Sequence, residues 1–451
     1  MLKRILTAAM IFVFNIPVQP GNSIGIDSCI SEFKSQTKCE NVSVVVYDHG
    51  KLDFYGDHEG LYQIGSMTKS FTGLAVQKLI NSGRISKDDK VSELIPGFTV
   101  YYDFSVVDIT VKDLLEQKSG FTNSEKEYPS ATADMTLNDW AKSISGKELK
   151  SLPGTEYSYS NVNYNLLGLI IENVTGKSYR DYMESEVLVP LSLDDVSAGK
   201  PEKGNIIEGT RLGFRMPFDY HVPVREASVP AGYFYSNTEA IGLWMKAWIE
   251  GADPDMEDVI ASLTEKGDYY AGWERFDGDT IGHSGGTPNY SSRIVFSRST
   301  QKGVCVLTNL NVAATTDSLC NLIFDELNGR EGGGLVCDVW TVFDIIFTSV
   351  SAVGLAVFLV ALFMKKKGFL NGTGSFLSIL LILILILFPV IFGAGIMDIA
   401  LVWAPLSFAA GLVILMADIA VIAVKLVLVK VNEGRAKTGQ RSAAYGDSRV
   451  S

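Results

Sequence analysis

The pattern of apolar and polar positions divides the chain into a globular part and an apolar end. Runs that alternate, or that are rich in β-branched residues, predict strands at 42–47, near Leu52, at 291–297 and at 304–309. Apolar residues at helical spacing predict helices at 67–81, 163–173 and 316–327. Because strands at both ends enclose a helical middle, we predict an α+β domain. Its antiparallel sheet is formed from both termini and flanked by helices, with an additional helical subdomain.

Three apolar runs near the C-terminus are long enough to cross a bilayer as helices. They cover residues 345–364, 376–397 and 399–424. Basic residues follow the first and third runs at Lys365, Lys366, Lys367, Lys425, Lys430, Arg435, Lys437 and Arg441. The positive-inside rule therefore places both of these ends in the cytoplasm. Because the number of spans is odd, we expect a multi-pass plasma-membrane protein with an extracytoplasmic domain and a cytoplasmic C-terminus.

The first residues have the composition of an export signal. Lys3 and Arg4 precede an apolar stretch at 5–14 that is short for a membrane-spanning helix. No clear cleavage motif follows, so cleavage and retention as a short anchor both stay open. The predicted organisation is a signal peptide (1–23), an extracytoplasmic domain (24–335), three transmembrane helices (340–424) and a cytoplasmic tail (425–451). Membrane lipid is the expected partner of the helices, and a homo-oligomer formed through them is left open.

The charge of the chain argues against nucleic-acid binding. The sequence has 39 Lys and Arg against 51 Asp and Glu, and the first 364 residues alone carry 30 basic and 47 acidic side chains. An acidic surface of this kind repels phosphate backbones. The four His residues lack the spacing of metal ligands, which makes a catalytic zinc site improbable. The sequence therefore predicts no metal and no cofactor.

Cysteines and membrane carboxylates leave alternatives open. Cys29 and Cys39 are close enough in sequence to pair in an oxidising compartment, or they are free thiols. Cys305 lies in an apolar run and is predicted to be a buried thiol. Asp418 falls inside the third predicted span, where a carboxylate is a functional candidate. Its position seven residues before Lys425 also fits a structural role, paired or hydrated near the inner interface.

The first candidate for chemistry is an S-x-x-K element at Ser66 and Lys69. Three residues apart on one helix face, the hydroxyl and the amine can touch, so the Lys can accept the Ser proton if burial lowers its pKa. The sequence has four more such elements, which begin at Ser31, Ser35, Ser197 and Ser299. Only Ser66 follows a Gly and begins an apolar helix, whose N-terminal amides can stabilise an oxyanion.

Two further strings complete the set of candidates. Tyr159 and Asn161 form a Y-x-N element just before a predicted helix, where the phenol can relay a proton and the amide can hold a substrate carbonyl. The same letters recur at 235–237, which we interpret as a structural turn. His283 begins an H-S-G-G string ahead of a strand. Its glycines, Gly285 and Gly286, allow a substrate backbone to approach the strand edge, and the Gly286 amide is the second candidate oxyanion donor.

The ordered set of S-x-x-K, Y-x-N and H-S-G-G resembles serine hydrolases related to class C β-lactamases and penicillin-binding carboxypeptidases. The resemblance covers residues 40–328. Longer strings at 65–74, 163–177 and 285–292, together with the three terminal spans, resemble membrane peptidases of the colibactin-activating type. Those peptidases remove an N-acyl-D-asparagine cap from prodrug natural products. The resemblance thus implies a β-lactamase-like domain followed by three transmembrane helices.

The resemblance also implies a role for each motif residue. Ser66 is the acylated nucleophile, Lys69 and Tyr159 are its general base and proton relay, and the amides of Ser66 and Gly286 form the oxyanion hole. Asn161, His283, Gly285 and Asn289 fall among the substrate-binding positions. His283 stands where β-lactamases carry Lys, and a neutral imidazole is a poorer counter-ion for a substrate carboxylate. β-Lactam hydrolysis is therefore disfavoured.

Three substitutions, and a segment at 285–289 that is one residue shorter, separate this chain from the colibactin-type pattern. Gln63 stands where that pattern has Glu, Asn161 where it has Ser, and Ser228 where it has His. A pocket for a D-Asn cap therefore cannot be assumed. We predict a membrane-anchored serine hydrolase that cleaves an amide of a small or acylated peptide through an acyl-enzyme. The alternatives are a DD-carboxypeptidase or esterase acting on cell-wall peptides, and a penicillin-recognising sensor that is acylated without turnover.

Overall fold

The structure, a computed structural model, describes residues 25–124, 127–266 and 268–446. The predicted signal peptide lies outside the described residues. Chain contacts divide the molecule into two units. The globular unit extends to Arg211 and resumes over Pro217–Val339. The helical unit contains Leu212–Met216 and the chain from Trp340 onward.

Strands from both ends of the globular unit build its main sheet. The described strands are β1 (Val42–Asp48), β2 (Lys51–Tyr55), β3 (Tyr62–Gln63), β4 (Val100–Tyr102), β5 (Ser105–Val107), β6 (Lys147–Glu148), β7 (Val196–Ala198), β8 (Thr210–Gly213), β9 (Met216–Asp219), β10 (Phe234–Ser236), β11 (Tyr269–Tyr270), β12 (Trp273–Arg275), β13 (Thr280–Thr287), β14 (Tyr290–Ser297) and β15 (Lys302–Thr308). The main sheet has seven strands in the order β11-β12-β13-β14-β15-β1-β2, with antiparallel pairing throughout. This confirms the predicted α+β architecture.

Helices cover the sheet and fill the middle of the unit. The described helices are α1 (Ile26–Thr37), α2 (Thr68–Asn81), α3 (Val91–Leu94), α4 (Val111–Leu115), α5 (Leu137–Ile144), α6 (Asn161–Thr175), α7 (Tyr179–Met183), α8 (Val229–Gly232), α9 (Thr238–Glu250), α10 (Pro254–Lys266), α11 (Ala313–Leu327), α12 (Val339–Phe363), α13 (Lys367–Phe392), α14 (Ile396–Asp398) and α15 (Leu406–Gly446). Every residue of β14 is buried, because helices α9 and α11 both pack on it. Helix α6 ends at Gly176 in the left-handed conformation, as predicted.

The cysteines of the globular unit are free thiols. Cys29 and Cys39 are both buried and unbridged, which resolves the alternative left by the sequence. The Sγ of Cys39 faces Asn41 O at 3.3 Å and Asn309 Oδ1 at 3.4 Å. Burial raises the pKa of Cys39 to about 12. Cys305 lies fully buried within β15, which agrees with its predicted place in the core.

The three apolar helices confirm the predicted number of candidate membrane spans but correct their limits. Helices α12 and α13 begin earlier than predicted, at Val339 and Lys367, because polar residues at their starts are also helical. The third run begins later. Residues Ile399–Trp403 form a separate π-helical turn, and Ala404 is extended ahead of Pro405. The long helix therefore starts at Leu406, and it continues through most of the predicted tail, to Gly446.

One close backbone contact fixes helix α2 against the end of the sheet. A Cβ added at Gly73 would lie 2.1 Å from Ala271 O. A Cβ added at Gly272 would lie 2.2 Å from the carbonyl carbon of Lys69, and Gly272 has a φ of +85°. Both positions therefore require glycine, because a side chain would collide with backbone atoms that cannot move independently. This contact holds the first turns of α2 in place.

We expect Gly73→Ala to destabilise the protein. Alanine favours a helix over glycine by about 1 kcal/mol, but overpacking against fixed atoms costs about 1–3 kcal/mol or more. The apparent unfolding temperature of the detergent-solubilised chain should therefore fall by a few degrees, at about 2–4 °C per kcal/mol. Gly333→Ala is the matched control, because a Cβ there meets nothing within 4 Å. A Gly73→Ala protein as stable as this control would contradict the contact.

Candidate active site

Ser66 lies in a tight turn that leads directly into helix α2. The turn is a 3-10 helix over Gly65–Met67, and Lys69 follows in the first turn of α2. Gly65 has a φ of +52°, and a Cβ there would lie 2.5 Å from the backbone nitrogen of Gly286. Glycine at position 65 thus lets the turn press against strand β13. As a result the Ser66 hydroxyl, which is partly exposed, lies beside the edge of the main sheet.

The Lys69 amine is fully buried and contacts three uncharged oxygen atoms. Its Nζ lies 2.9 Å from Ser66 Oγ, 2.7 Å from Asn161 Oδ1 and 2.6 Å from the carbonyl oxygen of Ala231. Burial alone lowers the pKa of Lys69 well below the ordinary lysine value. A neutral amine can donate to Asn161 and Ala231 while its lone pair accepts the Ser66 proton. The structure therefore brings three of the predicted site residues, Ser66, Lys69 and Asn161, into direct contact.

Tyr159 lies beside the group formed by Ser66, Lys69 and Asn161. Its ring centroid lies 4.9 Å from Lys69 Nζ. Burial raises the pKa of Tyr159 well above its ordinary value, and a hydrogen bond with Ser66 opposes the shift only in part. The phenol is therefore neutral and able to donate a proton at physiological pH. The Lys69 amine is therefore able to accept a proton from Ser66, while the neutral phenol of Tyr159 still carries its own proton.

A buried glutamine, which the sequence analysis missed, positions the Y-x-N element. Gln117 Oε1 accepts hydrogen bonds from the backbone N–H of Ser160, at 2.9 Å, and from the side-chain amide of Asn163. Gln117 is fully buried and has a φ of +56°, which is unusual for a residue other than glycine. Ser160 in turn caps helix α6 through Val162 N–H. In the sequence, Gln117 stands in a polar stretch that is indistinguishable from an ordinary surface turn.

His283 is a buried and neutral imidazole on strand β13. Its Nδ1 lies 2.6 Å from the carbonyl oxygen of Ser284, so this nitrogen carries the proton. Its Nε2 then accepts, and faces the Tyr269 hydroxyl at 3.4 Å. Burial is the main cause that lowers the pKa of His283 to about 3. The ring centroid of His283 lies 6.0 Å from that of Tyr159, which places it at the margin of the Ser66 group.

The two glycines of the H-S-G-G string have different surroundings. A Cβ on Gly285 would lie 2.1 Å from Ile64 O and 2.2 Å from Ser292 Oγ, so this position is closed to larger residues. A Cβ on Gly286 would meet nothing within 4 Å, and Gly286 is exposed. The open side of the strand edge is therefore at Gly286. Its amide nitrogen approaches Gly65, next to the nucleophile.

Asn289 is not brought into the Ser66 group. It lies in the turn between β13 and β14, where its amide nitrogen donates to Tyr220 O at 2.8 Å. Its amide oxygen accepts from the Thr287 hydroxyl at 3.1 Å. These contacts hold the turn and the chain near Gly209, where a Cβ would lie 2.3 Å from the amide nitrogen of Asn289. The described contacts of Asn289 are thus structural.

The second Y-S-N string is a strand followed by a helix cap rather than a turn. Tyr235 lies on β10, and Asn237 caps helix α9 by accepting from Ala240 N–H. The Tyr235 hydroxyl accepts a hydrogen bond from Gln63 Nε2 at 2.7 Å. Gln63 is fully buried, and its Oε1 has no partner. Gln63, three residues before Ser66, is therefore a polar group next to the site that the motif search did not assign.

Curated proteins of two kinds are similar to this chain. Protein flp of Staphylococcus aureus (strain MRSA252) is 34% identical over 267 residues, which are 55% of this chain and 53% of that protein. A putative D-alanyl-D-alanine carboxypeptidase of Escherichia coli (strain K12) is 33% identical over 142 residues, which are 30% of this chain and 32% of that protein. The chain spans about half the length of the first of these relatives, and less of the second.

The fold is similar to that of solved structures, and the sequence matches a family model. An octameric penicillin-binding protein homologue from Pyrococcus abyssi matches with a TM-score of 0.60 and 22% identity, over 68% of this chain and 77% of that chain. A class C β-lactamase matches with a TM-score of 0.54 and 18% identity, over 63% and 90%. At these identities the likeness concerns the fold alone. The Beta-lactamase family model matches residues 26–322, a span that contains every predicted site residue. The chain therefore belongs to the Beta-lactamase family, whose fold and serine-hydrolase architecture it shares.

Proposed function

We propose that this protein is a serine hydrolase that cleaves an amide bond through an acyl-enzyme. The observation that carries the proposal is the 2.9 Å contact between Ser66 Oγ and the buried amine of Lys69. The amine is held among uncharged oxygens, so it acts as a base at neutral pH. A lysine kept only for structure would gain more from a carboxylate partner than from this site.

The acylation step follows from the positions of these groups. The Ser66 oxygen attacks the substrate carbonyl carbon as its proton passes to Lys69 Nζ, and the carbonyl electron pair moves onto oxygen. Amide N–H groups of Ser66 and Gly286 stabilise this oxyanion. Collapse of the intermediate expels the leaving amine, which takes a proton from Tyr159, and Lys69 returns its proton to the phenol. Water then attacks the ester by the same sequence, releasing the acid and free Ser66.

The neutral charge state of His283 limits the class of substrate that the site would bind. A neutral imidazole with its proton on Nδ1 presents no positive charge and no free donor to a substrate carboxylate. The proposed substrate therefore has a neutral group, such as an amide, at this end of the cleft. An acyl-D-amino-acid cap on a longer peptide has this property, because the residue next to the scissile bond continues as an amide chain. We propose cap removal of this kind as the reaction.

A carboxypeptidase is the second candidate, because one similar protein is named a putative D-alanyl-D-alanine carboxypeptidase. Its substrate would end in a free carboxylate, for which the described site offers no cation at His283. An acylated sensor is the third candidate, and it differs by the absence of turnover.

We further propose that the apolar helices α12, α13 and α15 insert in the plasma membrane and hold the globular unit outside the cell. Three helices of the described chain are long and apolar enough to span a membrane: Val339–Phe363, Lys367–Phe392 and Leu406–Arg435. Basic residues directly after the first helix, at Lys365 and Lys366, and in the last turns of the third span, at Lys430 and Arg435, support this orientation. Attachment of this kind would suit a substrate that leaves a transporter or lies at the outer leaflet.

A fluorophosphonate probe should label the full-length protein at Ser66. Ser66→Ala should remove the label, because the probe captures only an activated hydroxyl. Ser31→Ala is the matched control, since Ser31 begins another S-x-x-K element but is exposed on α1. After addition of a cleavable acyl-peptide, labelling should fall and then recover as the substrate is consumed. Labelling that never recovers would indicate a sensor, and labelling of the Ser66→Ala protein would contradict the assignment of the nucleophile.

The rate of labelling should rise with pH and level off well below 10.5, the ordinary lysine pKa. The sign follows from the base, because only neutral Lys69 can accept the Ser66 proton, and burial favours the neutral form. Lys69→Arg should label slowly, by roughly a hundredfold or more, since removal of a general base costs on this scale. Its residual rate should lack the titration at the lowered pKa. A wild-type profile that still rises at the ordinary lysine pKa would contradict a neutral Lys69.

His283→Lys should shift specificity toward peptides with a free carboxylate. The ammonium would supply the missing charge-assisted hydrogen bond, which contributes about 1–3 kcal/mol, or roughly tenfold or more in relative kcat/KM. The measurement compares acyl-peptides that end in a carboxylate or in a carboxamide. His221→Lys adds the same charge at a side chain that is 67% exposed and should leave the ratio unchanged. An unchanged ratio in a labelled, folded His283→Lys protein would contradict the proposed role of His283.

A further inference from the structure

The helical unit contains polar side chains along the contact between helices α12 and α15. On α12 they recur every three or four residues, and therefore lie on one face. We define the polar seam as these polar residues together with the two glycines that lie among them. Its members are Thr341, Asp344, Thr348, Ser351 and Gly354 of α12, with Ser407, Gly411 and Asp418 of α15. The two helices run parallel along it, since Asp344 meets Ser407 near one end and Gly354 meets Asp418 further along.

The two carboxylates of the polar seam differ in their partners. Asp344 accepts from the Ser407 hydroxyl at 2.7 Å and from the backbone N–H of Arg215, which belongs to the same unit, at 2.7 Å. Asp418 is fully buried, and among the described residues neither of its oxygens has a hydrogen-bond partner. Its Oδ2 lies 3.2 Å from the position of a Cβ on Gly354. A Cβ there would lie closer still, 2.6 Å, to Cγ2 of Ile414, so glycine at position 354 leaves room for both Ile414 and the carboxyl group.

The charged groups nearest in sequence do not neutralise Asp418. On its own helix the next is Lys425, whose ammonium donates to the carbonyl oxygen of Leu362 instead. Lys430, Glu433 and Arg435 lie about three turns or more further along. On α12 the only charged residue is Asp344, and on α13 it is Lys367, which pairs with Glu433 at 3.1 Å. The pairing with Lys425 that the sequence left open is therefore not formed.

An ionised carboxylate without a partner is unfavourable in an apolar interior, whereas the neutral acid is far less so. Three hydroxyls of the polar seam are also buried without a hydrogen-bond partner among the described residues: the Oγ1 of Thr341, the Oγ1 of Thr348 and the Oγ of Ser351. Hydroxyls in helices commonly bond to the carbonyl four residues back, as Ser349 does with Ile345 O at 2.9 Å. Thr348 and Ser351 do not, so they remain free to donate and accept along the interface.

We propose that Asp418 is a proton-binding site within the polar seam. The inference depends on membrane insertion of the helices but not on the chemistry at Ser66. The bound ligand is a proton rather than a metal cation. A cation needs several oxygen ligands, and the described residues contain no group of three or more His, Cys, Asp and Glu side chains that could hold a metal ion. Proton binding requires only the carboxylate itself.

Dicyclohexylcarbodiimide tests the proposal on the full-length protein in lipid vesicles. This apolar reagent modifies protonated carboxyl groups in apolar surroundings. The carboxyl proton passes to one reagent nitrogen, the carboxylate oxygen adds to the central carbon, and acyl transfer to nitrogen leaves a stable N-acylurea. Mass spectrometry of the digested protein should find the adduct on Asp418 at neutral pH, at a yield roughly tenfold or more above that on Asp344. The yield should fall as pH rises.

Two isosteric variants serve as controls, and Ser66 labelling by the fluorophosphonate probe reports that each is folded. Asp418→Asn should abolish the adduct, whereas Asp344→Asn should retain it. Absence of an adduct at Asp418 in the wild type, or equal yields at both positions, would overturn the proposal. So would protection of Asp418 by sodium ions at constant pH, because protection indicates a cation site. If Asp418→Asn loses Ser66 labelling, the infrared spectrum of the wild type decides. A neutral carboxyl C=O band that disappears at high pH supports the proposal, and its absence refutes it.

Discussion

Burial of the Lys69 amine is the constraint on which the rest of the site depends. An ammonium in this position would lose its hydration and gain only uncharged oxygens in return, so the neutral form is favoured. The surrounding structure maintains that environment. The turn at Ala271 and Gly272 presses on the backbone of α2, and Gln117 fixes the segment that carries Asn161. Any change that lets water reach Lys69 would restore its charge and remove the base, even if every motif residue stayed in place.

The same physical cause governs His283. Desolvation lowers the pKa of both basic side chains and so favours the neutral form of each. On the same strand, the hydroxyl of Ser284 donates to Asp317 at 2.9 Å and accepts from Arg293 at 2.7 Å. Its single proton is therefore already engaged. The strand edge is left with backbone groups as its free donors, which suits recognition of a peptide chain more than recognition of a terminal charge.

Contacts between residues close together in the sequence could be predicted, whereas contacts between residues far apart in the sequence could not. The spacing of Ser66 and Lys69 lies within one helical turn, so their contact follows from local geometry alone. That strands from both termini form the sheet was also predictable, because runs of strand residues at the two ends of the domain enclose a helical middle. Gln117 could not be found in this way, since its partners at 160 and 163 are brought to it only by the tertiary fold. Asn289 had been placed at the substrate by resemblance, but its hydrogen bonds to Thr287 and Tyr220 hold a turn.

The helical unit shows where hydropathy is an incomplete guide. Average hydropathy identifies three spans, yet it cannot show which faces meet or that Pro405 delays the start of the third helix. A simple anchor needs only apolar helices, and both Gly354 and Asp418 weaken such a bundle. Glycine in a helix costs about 1 kcal/mol relative to alanine, and a buried acid without a partner costs more. Gly354 lies opposite Asp418, and the absence of a side chain at Gly354 leaves space for the Asp418 carboxyl group. This arrangement is unnecessary for anchoring, and it is what a group that must take up a proton inside an apolar bundle requires.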